Sequence, residues 1–265
     1  MLVPDQGGTS NDSVRLLPIV SKKIVESRIV PVLLDAIFNE NADTDFRESV
    51  LGLVKNLSLN PDAKKSIGHS SAALIAAMRN CSEAEVKLLA CYALTHLAIG
   101  SSENQARISG EGGLYAVLAA IRSHPGNAEM LTAAYGLMTE LAIDNEDIAS
   151  KFVGEGGTDL LLSTMKEHSD NVNVQIAVCG VLAYLPYGKR ERAAPKLAKA
   201  IIYALDRHPE NAEVQTAACE ALLEIATHVP AVRSIVKEKK TQKLLLNAKE
   251  RYEACASDVD DILAI

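Results

Sequence analysis

A six-residue segment recurs in this chain: ISGEGG at residues 108–113 returns as FVGEGG at residues 152–157. A His followed three residues later by Asn recurs in the same phase, at His124, His168 and His208, which lie 44 and then 40 residues apart. Periods of this length are typical of helical solenoids, because a unit of two or three helices buries its apolar face only by stacking on its neighbours. The recurrence therefore predicts an all-α array of stacked repeats.

An apolar pattern of helical spacing is the third marker of the repeat. In each unit it ends on a Leu or Ile, at Leu57, Leu97, Leu141, Leu185 and Ile225. Three markers that keep phase along one chain indicate about five repeats, at approximately residues 29–71, 72–113, 114–157, 158–195 and 196–240. We predict a flexible lead at residues 1–13, a single domain over 14–265 and a partial C-terminal cap at 241–265.

The third unit divides most clearly into predicted elements. It predicts a helix over Leu114–Ser123, a second over Ala128–Ile143 and a short helix that ends at the next Gly-Gly pair. Each His-x-x-Asn segment is interpreted as a turn between two helices. Its Asn accepts hydrogen bonds from the free amides of the next helix, and a lone His in each repeat brings no second metal ligand at close spacing. The Asn residues in question are Asn127, Asn171 and Asn211.

The fourth unit is four residues short. Where the others have a short helix and Gly-Gly, it has Pro186-Tyr187-Gly188 followed by a basic run. We predict that residues 187–192 form an irregular basic loop that projects from the stack. Such a loop is either a binding element or a tolerated deletion at the surface.

Composition limits the environment of the chain. Aromatic residues make up 4% of it and Trp is absent, and no apolar run approaches the roughly 20 residues that span a bilayer. Three of the five cysteines, Cys91, Cys179 and Cys219, occupy one position of the repeat, where stacked helices about 10 Å apart are too distant for disulfides. We expect buried free thiols, no membrane insertion and a cytoplasmic protein, with the nucleus as an alternative.

Catalytic motifs are missing from the sequence. The two Gly-Glu-Gly-Gly segments lack the Lys-Ser and the preceding strand of a phosphate loop, and no Cys-x-x-Cys pair or Gly-x-Ser-x-Gly elbow occurs. Glu220 and Glu224 lie one helical turn apart, but surface glutamates are far commoner than catalytic pairs. We predict a protein that is not an enzyme, with no cofactor and no metal.

A unit of about 42 residues that contains Gly-Gly, the helix LYAVLAAIRSHPGNAEM and then A-x-x-L-M-x-E-L-A resembles the armadillo repeat family. The resemblance covers roughly residues 29–240 and implies a right-handed superhelix of three-helix repeats. In that family the third helices line a concave groove that binds extended peptides or partner proteins. An Asn before the closing Leu and a Trp one turn earlier hold the ligand in its peptide-binding members.

The resemblance places ten residues in this groove. The Asn position holds Asn56, His96, Glu140, Tyr184 and Glu224, and the Trp position holds Gly52, Tyr92, Gly136, Gly180 and Glu220. One Asn and no Trp remain, so the ladder of nuclear import adaptors is essentially absent. The glycines mark close approach either by a ligand or by another part of the chain. The glutamates favour Lys or Arg side chains in a ligand.

The predicted function is a protein-interaction scaffold or adaptor. It binds a partner protein or an extended peptide with basic side chains, and we expect a monomer that binds no nucleic acid. The alternatives are a regulatory or targeting module of a larger kinase, motor or cytoskeletal protein, a chaperone regulator and a nuclear transport adaptor. End-to-end stacking of the terminal repeats also stays open as an alternative to the monomer.

Overall fold

In the computed structural model, residues 23–24, 29–39, 41–187 and 193–265 are described. Their regular elements are all helical, and the chain divides into two compact units at Gly112/Gly113. The predicted lead at 1–13, most of residues 14–28 and the basic run 188–192 lie outside the described residues. In the described part, no helix is long and apolar enough to cross a membrane.

The N-terminal unit contains six described helices. These are α1 (Ile29–Ala36), α2 (Thr44–Ser58), α3 (Pro61–Ile67), α4 (Ser71–Asn80), α5 (Ala84–Ala98) and α6 (Ser102–Gly110). A 3-10 turn at Gly68–Ser70 joins α3 to α4. The third helices of two successive repeats, α2 and α5, pack on each other, and so do the second helices, α1 and α4.

The C-terminal unit continues the same order of helices. It contains α7 (Gly113–Ser123), α8 (Ala128–Ala142), α9 (Glu146–Gly154), α10 (Gly157–Glu167), α11 (Val172–Leu182), α12 (Ala194–Arg207), α13 (Ala212–His228), α14 (Pro230–Val236), α15 (Lys239–Arg251) and α16 (Ala256–Ala264). The predicted helices of the third unit are confirmed to within a residue or two. A 3-10 turn at Glu253–Cys255 precedes α16.

Two layers form the C-terminal unit. The third helices α8, α11, α13 and the terminal α16 pack side by side, and the second helices α10, α12 and α15 form the other layer. The closing Leu and Ile of the repeat pattern lie between the helices: Leu141 and Ile225 have no exposed surface and Leu185 is 4% exposed. The apolar pattern is therefore the core, as predicted.

Polar side chains begin the third helices where the sequence predicts. Asn127, Asn171 and Asn211 each accept a hydrogen bond from the backbone amide three residues on. Such caps satisfy amides that have no partner inside the helix. The N-cap role of the three asparagines is confirmed.

Glycine in the repeated Gly-Glu-Gly-Gly segment is required by the backbone. Gly112 and Gly156 have φ values of 91° and 85°, a left-handed conformation that other residues adopt at a cost. A Cβ at Gly157 would lie 2.4 Å from the ring of Phe152. The segment is a helix-joining turn, as predicted.

The recurring His residues end helices, as predicted, and they also join one repeat to the next. His168 Nε2 lies 2.7 Å from the carbonyl oxygen of Pro125, and His208 Nε2 lies 2.7 Å from that of Ser169. In the C-terminal cap, Tyr252 takes this place and donates to the carbonyl of Pro209 at 3.1 Å. A chain of hydrogen bonds thus follows the turns of the C-terminal unit.

All five cysteines are unpaired. Cys91, Cys179 and Cys219 are fully buried, and burial raises the pKa of Cys91 and of Cys179 to about 12. The expectation of buried free thiols at this repeat position is confirmed.

Candidate binding surface

In the N-terminal unit, four of the predicted groove residues lie on two packed helices. Gly52 and Asn56 are on α2, and Tyr92 and His96 are on α5. The Nζ of Lys55 lies 5.9 Å from the centre of the Tyr92 ring, so a cation already covers part of this aromatic side chain. His96 Nδ1 is 3.4 Å from Ser58 Oγ, and burial lowers the pKa of His96.

In the C-terminal unit, the structure brings the other six predicted residues onto one row of helices. Gly136 and Glu140 belong to α8, Gly180 to α11, and Glu220 and Glu224 to α13. Because α8 packs on α11 and α11 on α13, these residues lie along one layer. Tyr184 also belongs to this row, although not as part of a helix.

The position of Tyr184 differs from the sequence prediction, which put it inside the third helix. The helix α11 ends at Leu182. Pro186 has no N–H for the carbonyl of Leu182 and disfavours helical geometry in the residue before it. The hydroxyl of Tyr187 donates to this carbonyl instead, at 2.5 Å.

Tyr187 is itself a correction to the predicted projecting loop. It is 5% exposed, and burial raises its pKa well above the usual value. Its hydroxyl substitutes for the missing helical amide, so the side chain is held inside the unit. Tyr187 is the one residue of 187–192 that the structure describes, and it belongs to the core.

Tyr184 is 39% exposed. Burial raises the pKa of its phenol, and the negative charges of Glu220, Glu140 and Asp144 raise it further. We call Glu140, Asp144, Tyr184, Glu220 and Asp258 the acidic surface. It combines four carboxylates with the exposed ring of Tyr184.

The carboxylates of the acidic surface also affect one another. Burial raises the pKa of Glu220, and Asp258 on α16 adds to this rise. The pKa of Asp258 is raised by burial and then by Asp261. A cation that bound here would relieve this repulsion, because an opposite charge favours the ionised form of a carboxyl.

Asp144 and Asp258 were not among the predicted site residues. Asp144 lies two residues beyond the end of α8 and has a left-handed backbone conformation, with φ of 52°, so helical spacing from Glu140 does not predict its position. Asp258 had no sequence signal either. Its place beside Glu220 depends on α16 packing against α13.

Glu224 has a different environment from the other predicted glutamates. Its Oε1 lies 3.1 Å from Nδ1 of His228, one turn further along α13. Its carboxylate is thus directed along its own helix. We therefore leave Glu224 out of the acidic surface, although it belongs to the same row of helices.

The three glycines at groove positions have different surroundings. A Cβ at Gly180 would lie 3.3 Å from Oγ1 of Thr139 on α8, so close packing inside the unit accounts for this glycine. A Cβ at Gly52 or Gly136 would meet no atom within 4 Å. Internal contact thus explains Gly180 and does not explain the other two.

The groups of this surface are carboxylates and a phenol. Within the described ranges, no group of three or more His, Cys, Asp or Glu side chains is arranged to hold a metal ion. The acidic surface offers carboxylates and a phenol, and Gly136, with no side chain, lies one turn before Glu140 on α8. These groups suit the ammonium and guanidinium groups of an extended chain.

Solved structures with the same fold are known. An engineered protein matches over 89% of this chain and 97% of its own, at 15% identity and a TM-score of 0.73. A designed armadillo repeat protein matches over 89% and 98%, at 16% identity and a TM-score of 0.72. A second one, solved in complex with the peptide (KR)4, matches over 89% and 98%, at 17% identity and a TM-score of 0.67.

These likenesses confirm the predicted fold class. The chain has the all-α armadillo-repeat solenoid fold. No protein-family model matches the sequence, and no curated protein sequence is significantly similar to it.

Proposed function

We propose that this protein is a non-enzymatic interaction module that binds an extended segment of a partner protein on the acidic surface, through Lys or Arg side chains of that segment. Armadillo-repeat folds commonly bind peptides and proteins, and one structural neighbour was solved with the peptide (KR)4. Fold likeness alone does not transfer a ligand. The proposal therefore depends on the residues of this chain.

The observation that carries the proposal is the environment of Tyr184. The exposed ring of Tyr184 has a pKa that is raised by burial and by the charges of Glu220, Glu140 and Asp144, and the charge of Asp258 raises the pKa of Glu220. A basic side chain there gains attraction from several carboxylates and contact with an aromatic face. The open backbone at Gly136 leaves room for a ligand chain to approach α8.

The test is the affinity of a labelled Lys-Arg peptide, (KR)4, measured by fluorescence anisotropy. We expect the variant Glu140→Lys/Glu220→Lys to bind it at least roughly tenfold more weakly than the natural protein, because two attractive charges become repulsive. The matched control Glu155→Lys/Glu250→Lys makes the same change of net charge at exposed positions away from the acidic surface.

The control should bind within about twofold of the natural protein if the carboxylates act locally. Equal weakening in both variants would mean that only overall charge matters. Unchanged binding in the first variant would exclude the acidic surface. Circular dichroism of each variant checks that its helices are intact.

We also propose that the protein acts in a reducing compartment, the cytoplasm or the nucleus, and that it is a monomer. Free buried thiols support the compartment, because disulfides are rare where glutathione keeps thiols reduced. Sedimentation of the purified protein measures the oligomeric state.

A further inference from the structure

The outer side of the second-helix layer carries a groove between α10 and α12. Its volume is about 820 Å³, within the roughly 300–1,000 Å³ range of ligand sites. We call it the lysine groove. It is lined by Lys166, Lys196, Lys199, Tyr203, Leu162 and Ala200, among others. It lies on the layer opposite to the acidic surface, since α10 and α12 pack beneath α11 and α13.

The lysines of this groove are exposed. Among the described residues, none of Lys166, Lys196 and Lys199 forms an ion pair. Two other cations of the same layer form ion pairs: Arg207 pairs with Asp170 at 2.6 Å, and Lys240 pairs with Asp206 at 2.7 Å. Positive charge is thus left uncompensated at the groove and neutralised beside it.

Apolar surface lies between these charges. Tyr203 is 55% exposed, and Leu162 and Ala200 are half-buried in the same groove. Tyr is among the residues most often found at binding hot spots, because its ring gives a large contact area at low entropic cost. A ligand that fits this groove has both anionic groups and an apolar side chain.

Charge at the borders of the groove limits the length of an anionic ligand. Glu167 ends α10, and Asp206 lies one turn beyond Tyr203 on α12. A nucleic acid needs a basic stripe that follows many phosphates, and these acids interrupt one. A short peptide places its carboxylates on the lysines and avoids the borders.

We propose that the lysine groove binds a short acidic segment of another protein, with an aromatic or aliphatic side chain of that segment against Tyr203. The C-terminal unit then binds oppositely charged segments on its two layers. Binding in the lysine groove does not depend on whether the acidic surface binds a basic segment.

The probe is a fluorescein-labelled peptide of about nine residues, Asp and Glu with one central Phe. In anisotropy titrations we expect Lys196→Glu/Lys199→Glu to weaken its binding at least roughly tenfold, and Tyr203→Ala to weaken it by roughly fivefold, a loss of about 1 kcal/mol. Replacing the Phe of the peptide by Ser should cost a similar factor.

The matched control is Lys65→Glu/Lys151→Glu, which reverses two exposed lysines of first helices outside the groove. It should bind the acidic peptide within about twofold of the natural protein. The variant Glu140→Lys/Glu220→Lys should also keep this binding, which separates the proposal from that on the acidic surface.

Three results would overturn the proposal. The natural protein fails to bind the acidic peptide at millimolar concentration, or the control loses as much affinity as the groove variant. The third is a single-stranded oligonucleotide that binds more tightly than the peptide and is lost from the same Lys196→Glu/Lys199→Glu variant, which would assign the groove to nucleic acid.

Discussion

At the scale of single residues, the fourth repeat shows how one proline changes the role of its neighbours. Pro186 removes the amide that would have bonded to the carbonyl of Leu182, and the side chain of Tyr187 supplies the missing donor. Because α11 ends at Leu182, Tyr184 lies in the turn that follows, and it is exposed there. A local backbone requirement thereby shapes the acidic surface.

The substitution Tyr187→Phe removes this donor and leaves a carbonyl without a partner in a buried environment. We expect the free energy of unfolding to fall by about 1–2 kcal/mol, measured by urea denaturation. Tyr203→Phe is the control, because the Tyr203 side chain is 55% exposed and water replaces any partner of its hydroxyl. A loss no larger than that of the control would contradict the role given to Tyr187.

At the scale of the helix, two glycines differ in whether close packing explains their presence. Gly136 lies inside α8 and Gly180 inside α11, where Gly is about 1 kcal/mol less favourable than Ala. Contact with Thr139 restricts the space at Gly180 alone. The two positions form a natural pair for comparison.

Gly136→Ala should therefore stabilise the protein by about 0.5–1 kcal/mol, and Gly180→Ala should gain less because its methyl group presses on Thr139. Thermal or urea unfolding of both variants measures the difference. If Gly180→Ala stabilised as much as Gly136→Ala, the contact with Thr139 would not be what retains this glycine. A weaker affinity of Gly136→Ala for (KR)4 would locate the peptide over α8.

At the scale of the whole molecule, the net charge is -7, and the charged residues of the C-terminal unit are unevenly distributed between its two layers. In the C-terminal unit, carboxylates crowd on the third-helix layer, and unpaired lysines line a groove on the second-helix layer. The two kinds of carboxyl respond oppositely to acid. Burial and repulsion raise the pKa of Glu220, whereas ion pairs lower the pKa of Asp170 and of Glu210.

Binding of the basic peptide should therefore weaken on acidification before the fold is affected. Glu220 and Asp258 lose their charge at a higher pH than ordinary carboxyls, so affinity for (KR)4 falls before ordinary carboxyls are protonated. Their protonation favours the folded state, since the stability contributed by a raised pKa is present below it and lost above it. The pairs of Asp170 and Glu210 persist until lower pH.

The measurement is anisotropy of the labelled peptide together with the far-ultraviolet circular dichroism of the same samples. Glu220→Gln should show a smaller change of affinity with pH than the natural protein, because one of the titrating groups is gone. Affinity that stays constant as the pH is lowered, or that falls only together with helical signal, would contradict this account.

Sequence alone determined the local features of this protein. Repeat length, the Asn caps, the turn glycines and the buried closing residues follow from rules that act within a few residues, such as helical period, capping and backbone conformation. The resemblance to the armadillo family identified the candidate groove positions on the third helices. Each of these depends on short stretches that the sequence displays.

Tertiary structure decided the features that depend on contact between repeats. Asp258 acts on the pKa of Glu220 because the cap helix α16 packs on α13, and Lys166 lines the same groove as Lys196 because α10 packs on α12. The hydrogen bonds from His168 and His208 likewise cross from one turn to the turn before it. Such contacts join residues some 30 to 40 positions apart, whose separation in space is set by helix packing, and local pattern carries no measure of it.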